Sequence, residues 1–269
     1  MVYKKSDVML SVCMITYNHE KYVEEAIKSV LDQSIRFKME LVIGEDCSSD
    51  KTLEICEKYS NEFPDLINLL PSIKNWGVAN NFLRTYNACT GKYIAILEGD
   101  DYWTDINKLQ KQVNFMESNT NYSMCFSKVH IKKERKTDII YYQIPKTDKI
   151  DFNDIVFAHY IPTLTLVLRN IVDLPIWIAK VKSCDRAIAM LFSSLGPVKY
   201  FDEIMGVYRV HEGGITNTIK QNEAINDDAY FIFKKLLNHV NIIQKFTLIY
   251  VISKNRVAKY LRAIGVMKN

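Results

Sequence analysis

The acidic run Glu98-Gly99-Asp100-Asp101 follows the apolar segment Tyr93 to Leu97 and sets three carboxylates around one glycine. A chain that turns sharply at Gly99 aims several oxygens into one cleft. Hard divalent cations take oxygen ligands, and Mg2+ or Mn2+ is often held by one or two carboxylates plus substrate phosphates. Alone, the run reads equally as a solvated loop with a helix cap. Two more polar clusters, Thr16-Tyr17-Asn18-His19 and Glu45-Asp46-Cys47-Ser48-Ser49-Asp50, also close apolar runs.

Hydrophobic periodicity gives the elements that must carry these clusters. Leu10 to Thr16 is rich in strand formers, and Tyr22, Val23, Ala26, Ile27, Val30 and Leu31 then recur at helical spacing. Glu40 to Gly44 reads as a second strand, Asp50 as the cap of a helix opening at Lys51, and Leu66 to Leu70 as a third strand. A helix from Val78 to Ala88 leads into the strand Tyr93 to Leu97. This alternation predicts a mostly parallel sheet with helices on both faces, whose ligands bind at the carboxyl ends of the strands. All three clusters stand at such ends.

Beyond Tyr122, Ser123 to Ile131 and Ile139 to Gln143 read as strands, with Lys132-Lys133-Glu134-Arg135-Lys136 as a charged hairpin connection. Asp151 to Ala158, Ser183 to Leu195 and Asn222 to Leu237 read as helices, and Thr163 to Leu168 and Glu203 to Tyr208 as strands that complete the first sheet. The tail from Ile242 to Val266 mixes apolar and basic residues, which suits either docking on the domain or lying on an anionic membrane surface.

The 269 residues, 48% hydrophobic with a net charge of +4, describe an ordinary globule with one large core, and scattered Lys and Arg give no nucleic-acid footprint. Six widely spaced cysteines without a C-x-x-C pair point to reduced, mostly buried thiols. No signal-peptide pattern stands at the N-terminus and no apolar run approaches the about 18 residues of a membrane span. A cytoplasmic protein, peripheral to the membrane at most, is the expectation.

The order and spacing of Thr16-Tyr17-Asn18, Glu45-Asp46-Cys47-Ser48-Ser49-Asp50, Asn75-Trp76-Gly77-Val78 and Gly91-Lys92-Tyr93 through Tyr102-Trp103 resemble the inverting family 2 glycosyltransferases of GT-A fold. The resemblance resumes at Asp185 and at Gly206 to Gly214. It implies a Rossmann-like GT-A domain over 1–217 with a helical C-terminal extension over 218–269. It further implies transfer of a sugar from a nucleotide-sugar donor, a UDP-sugar first, to a glycan or lipid-linked acceptor in bacterial surface polysaccharide assembly.

Residue by residue, the resemblance places Thr16, Tyr17 and Asn18 along the base pocket and gives Asp46 the imide N–H of the base. Asp100 matches the ligand of Mn2+ or Mg2+. Asp101 is a further candidate, and Glu98, where the family usually has aspartate, touches ribose, metal or neither. His211 resembles the late histidine that reaches the metal, Arg209 offers a fork to phosphate or braces its loop, and Gly213-Gly214 folds over the nucleotide. Asp185 matches the general base or caps its helix; the family commonly shows Glu-Asp or Asp-Trp there, and here the run is Cys184-Asp185-Arg186.

Two alternatives stand beside this reading. A sugar nucleotidyltransferase would show a Gly-rich basic loop after the first strand, where this chain has Tyr17-Asn18-His19-Glu20. A non-catalytic nucleotide-sugar-binding protein would not need Asp46, Asp100, Asp185 and His211 together.

Overall fold

The computed structural model describes residues 7–133, 147–157, 161–171, 173–182, 184–211 and 221–263. The first hundred residues fold as the alternation requires: β1 (Leu10–Thr16), α1 (Val23–Leu31), β2 (Met39–Glu45), α2 (Thr52–Glu62), β3 (Ile67–Leu70), α3 (Val78–Ala88) and β4 (Tyr93–Glu98). After them come β5 (Tyr102–Trp103), α4 (Lys108–Ser118), β6 (Met124–Lys133), β7 (Lys149–Ile150), α5 (Phe152–Phe157), β8 (Val167–Arg169), α6 (Cys184–Ser193), β9 (Val198–Val210), α7 (Gln221–Leu236) and α8 (Ile242–Ala263).

One sheet holds the strands in the order β3-β2-β1-β4-β8-β6-β9-β5, with β7 paired to β9. β1 pairs parallel with both β2 and β4. β8 runs antiparallel to β4 and to β6, and β9 runs parallel to β6. β9 therefore points the same way as β1, β2 and β4, and the segment after it reaches the rim where theirs end.

Both faces of this sheet are buried, as helices on either side require. Leu10, Val12 and Met14 of β1 pack with α1, α2 and α4, whereas Cys13 between them packs with α3, α5, α6, α7 and α8. β4 alternates in the same way, Ile94 and Ile96 on one side and Tyr93, Ala95 and Leu97 on the other. The period of two along a strand sorts the residues between the two cores.

Several expectations are corrected. Thr163 to Leu168 is not one strand: Thr163–Thr165 is a 3-10 turn and β8 begins at Val167. Pro162 forces extended backbone before the turn, and the hydroxyl of Thr165 bridges the carbonyls of Pro162 and Ser127. Lys132 and Lys133 are not part of a connecting loop but the last residues of β6, paired with Arg209 and Val210 of β9. Glu203 to Tyr208 is the middle of the 13-residue β9. The expected strand Ile139 to Gln143 and the loop Gly213-Gly214 lie outside the described residues.

α4, which the periodicity did not reveal, carries few apolar residues because two buried polar side chains do part of its packing. Lys108 donates to Gln112 Oε1 at 2.8 Å beneath the Trp103 ring, and Gln112 donates to the carbonyl of Thr165 at 2.9 Å. At its far end the buried Arg169 guanidinium donates to the carbonyls of Met116, Asn119 and Tyr122, satisfying acceptors that a helix terminus leaves open.

α8 rests on the domain through Leu248 and Val251, while Ile242, Ile243, Phe246, Ile249 and Tyr250 stay exposed. Among the described residues no helix is long and apolar enough to cross a membrane. All six cysteines are free thiols, four of them buried.

Candidate active site

The rim formed by the ends of β1, β2, β4 and β9 gathers the polar clusters into one cleft. The loops after β1 and β2 are tied together: Asn18 N–H donates to Ser48 Oγ, Ser49 N–H to Asn18 Oδ1, Glu20 N–H to Asp50 Oδ2 and Lys51 N–H to Glu20 Oε2. Asn18 and Cys47 hold left-handed backbone, with φ of 54° and 62°. Such conformations persist only where surrounding contacts over-determine them. Asp50 also accepts from the N–H and hydroxyl of Thr52 at the start of α2, the expected cap.

The carboxylates after β2 are engaged by backbone. Glu45 accepts from the N–H groups of Cys47 and Ser48, at 3.1 and 2.7 Å. Asp46 is buried, and its two oxygens accept from Trp76 and Gly77 N–H at 2.8 and 2.9 Å, anchoring the segment that opens α3. A base imide N–H would share an acceptor already in use. Tyr17, on the loop after β1, is 43% exposed, whereas Thr16, the last residue of β1, is buried.

The acidic turn after β4 divides by side chain. Asp101, 1% exposed, accepts from Arg209 N–H at 2.8 Å and so ties the turn to β9. Burial, then the charges of Asp100 and Glu98, push its carboxyl well above the ordinary range. Arg209 donates to the Asp100 carbonyl at 2.5 Å and pairs with Glu25, its guanidinium lying between the rings of Tyr22 and Tyr102. These contacts hold Arg209 against the acidic turn and α1.

Asp100 faces the cleft. Its Oδ2 lies 3.1 Å from His211 Nε2 and 3.7 Å from His19 Nε2. Burial works against its ionisation, but the His211 contact and the nearby His19 hold the carboxyl below its usual value. Among the described residues Glu98 Oε2 is buried without a hydrogen-bond partner, and burial, then the charges of Asp100 and Asp185, raises this carboxyl to about 8. Asp185, in the first turn of α6, is near enough for its charge to act on Glu98. Its neighbour Arg186 instead extends over the Phe233 ring of α7.

Gly99 has a role that the sequence reading did not give it. Its backbone is not left-handed; what it supplies is space. A Cβ there would stand 2.5 Å from Thr16 Oγ1 and 3.1 Å from His19 Nδ1. The missing side chain lets the acidic turn close onto the loop after β1.

Asp100, His211 and His19, beside the orphaned oxygen of Glu98, form a donor set suited to a divalent ion such as Mn2+. Among the described residues no three Asp, Glu, His or Cys side chains already close around one ion. Sequence reasoning gave no role to His19, Glu25 or Tyr22; the signal available for His19 was its place directly after Tyr17-Asn18.

The comparisons agree with this architecture. An uncharacterised protein of Mycobacterium tuberculosis is 31% identical over 210 residues, covering 77% of this chain, which spans 60% of that relative's length. S. aureus TarS 1-349, solved in complex with UDP, superposes with a TM-score of 0.67 at 20% identity, covering 91% of this chain and 70% of that one. A mannosyltransferase of Pyrobaculum calidifontis, solved with GDP-Man and Mn2+, gives 0.64 at 14% identity, covering 99% and 78%. Both show the GT-A fold. The model for glycosyl transferase family 2 matches residues 11–174, more than half of the sequence, and the chain belongs to that family.

Proposed function

We propose that the chain is an inverting, metal-dependent glycosyltransferase that takes a sugar from a nucleotide-sugar donor, a UDP-sugar first, to a glycan or lipid-linked acceptor of bacterial surface polysaccharide. One observation supports this reading: Asp100 and His211, 111 residues apart in sequence, meet at the carboxyl rim of the sheet next to Glu98. The domain runs over 1–217, and 218–269 forms its helical extension.

Asp100 and His211 would hold the ion, Mn2+ or Mg2+, which when bound stabilises the departing diphosphate. Tyr17 and Thr16 line the base, Asn18 and Asp46 hold the loops that shape its pocket, and Asp101 and Arg209 fix the acidic turn. Asp185 accepts the proton of the acceptor hydroxyl as its oxygen bonds to the anomeric carbon and the carbon–diphosphate bond breaks. The protein with a panel of sugar nucleotides and Mn2+ should release nucleoside diphosphate, and EDTA should stop it. Pyrophosphate release, or no release with any donor, would sink the reading.

The extension fits an anionic lipid surface on the cytoplasmic side. Residues 242–269 carry six Lys or Arg and no Asp or Glu, so the rest of the chain carries a net −2 of the total +4. Ile242, Phe246, Ile249 and Tyr250 share one exposed helical face, opposite Leu248 and Val251. Basic residues beside an exposed apolar stripe match an interfacial helix. Vesicles containing phosphatidylglycerol should retain the chain and release the Phe246→Glu variant; equal retention would leave α8 without a lipid role.

A further inference from the structure

His19 is a side chain of the cleft to which the proposed mechanism gives no task. His19 follows Asn18 on the loop between β1 and α1, and its side chain is mostly buried, at 17% exposure. We propose that His19 is a second imidazole ligand of the divalent ion, joining Asp100 and His211 on one face of its coordination shell. This rests on the reading of the cleft as a metal–diphosphate site.

The first argument is geometric. Both Nε2 atoms address the same oxygen, Asp100 Oδ2, at 3.1 Å from His211 and 3.7 Å from His19. Bonds of about 2.1 Å around an octahedral ion set neighbouring ligand atoms about 3 Å apart. The His211 separation of 3.1 Å matches such an edge, and that of His19, 3.7 Å, is somewhat longer than one. The two rings stand nearly perpendicular, at 87°, with centroids 6.2 Å apart, so their nitrogens approach Asp100 from different sides.

The second argument concerns which nitrogen is free. Thr16 Oγ1 lies 3.3 Å from His19 Nδ1. A hydroxyl accepting from Nδ1–H leaves the Nε2 lone pair turned to the cleft, the usual way an outer partner sets the tautomer of a metal-bound histidine. The backbone is fixed as well, since His19 N–H donates to Thr52 Oγ1 at 2.8 Å, in addition to the ties around Asn18 and Glu20.

The third argument is Gly99. Any side chain there would strike Thr16 and crowd His19 Nδ1, so the glycine preserves the approach of this imidazole and its orienting hydroxyl to the acidic turn. With the proton on Nδ1, the Nε2 lone pair of His19 faces the Asp100 carboxylate at 3.7 Å, an arrangement that a cation between them would stabilise. Two neutral imidazoles and one carboxylate also leave the dication with a net charge of +1 toward the diphosphate, and nitrogen donors favour Mn2+ over Mg2+.

The test is pulsed electron paramagnetic resonance of Mn2+ bound to the full chain with UDP, GDP or dTDP, counting coupled imidazole nitrogens. The wild-type protein should show two, and His19→Gln or His211→Gln one each. His19→Gln should also weaken Mn2+ by about tenfold or more, with a smaller loss for Mg2+. A single nitrogen in the wild-type spectrum, which needs no variant to fold, overturns the role of His19 and leaves the metal site standing. Failure of Mn2+ to bind with any of the three diphosphates would instead overturn the metal–diphosphate reading itself.

Discussion

The acidic clusters after β2 and β4 look alike in sequence, each a pair or trio of carboxylates at the end of a buried strand, and the fold treats them in opposite ways. Glu45 and Asp46 accept from four backbone N–H groups, those of Cys47, Ser48, Trp76 and Gly77. Asp100 faces two imidazoles, and Glu98 keeps a buried oxygen without a partner. A carboxylate satisfied by peptide dipoles builds a wall. One left with an unsatisfied oxygen beside like charge keeps its acceptor capacity for another group. The contrast recurs within the β4 turn, where Asp101 is clamped by Arg209 N–H and Asp100, one residue earlier, is not.

Substituting one residue from each cluster is the most direct way to break this comparison. Asp100→Asn should lower transfer by about 10³-fold, the upper scale for losing a charge-stabilising group, while the melting temperature stays near wild type. Asp46→Asn should do the reverse, costing about 1–3 kcal/mol of stability as the start of α3 loosens, with a smaller effect on transfer. Matching losses of activity in two folded variants would erase the distinction.

Asp185→Asn comes next in size. It should bind the donor nearly normally, as read by calorimetry, and lose transfer by about 10²-fold or more. Unchanged turnover would leave Asp185 as a first-turn acid of α6 with no part in transfer.

Gly99→Ala sharpens the comparison by moving the cleft without altering its charges. A methyl group 2.5 Å from Thr16 Oγ1 must displace either β1 or the turn. Denaturant unfolding should show a loss of about 1–3 kcal/mol, with weaker Mn2+ binding in the folded protein. Neutral behaviour on both counts would mean that the turn can yield without cost.

The last prediction carries the comparison from acids to a buried base. Burial lowers the Lys108 ammonium to about 7. Between that value and the ordinary lysine range the unfolded chain binds the extra proton, so stability should rise with pH across this window and the penalty should be complete below it. Lys108→Met should therefore stabilise more at pH 6 than at pH 10, by a difference of about 1–3 kcal/mol in chemical denaturation. An equal effect at both pH values would show that Lys108 folds without shedding its proton.

Much of the scaffold was legible. β1 and α3 take the bounds that their apolar patterns and neighbouring polar residues dictate, because each buries a regular stripe. α4 was not, because Lys108 and Gln112 occupy positions inside the core where a pattern reader expects Leu or Ile. Arg169 was equally opaque: its partners are three carbonyls some fifty residues away, and carbonyls are invisible in a sequence.

For the candidate site, residue types and order by themselves set the rim, the acidic turn and the family, since strand ends in a parallel sheet must share an edge and the motifs recur in fixed sequence. Only the tertiary structure decided which carboxylates are already satisfied, that Arg209 braces the turn, that Gly99 is there for space, and that His19 stands beside Asp100. The reason is physical. Identity and spacing fix what a side chain can donate or accept, whereas whether that capacity is used depends on backbone groups and neighbours brought in from β9, α3 and the loop after β1.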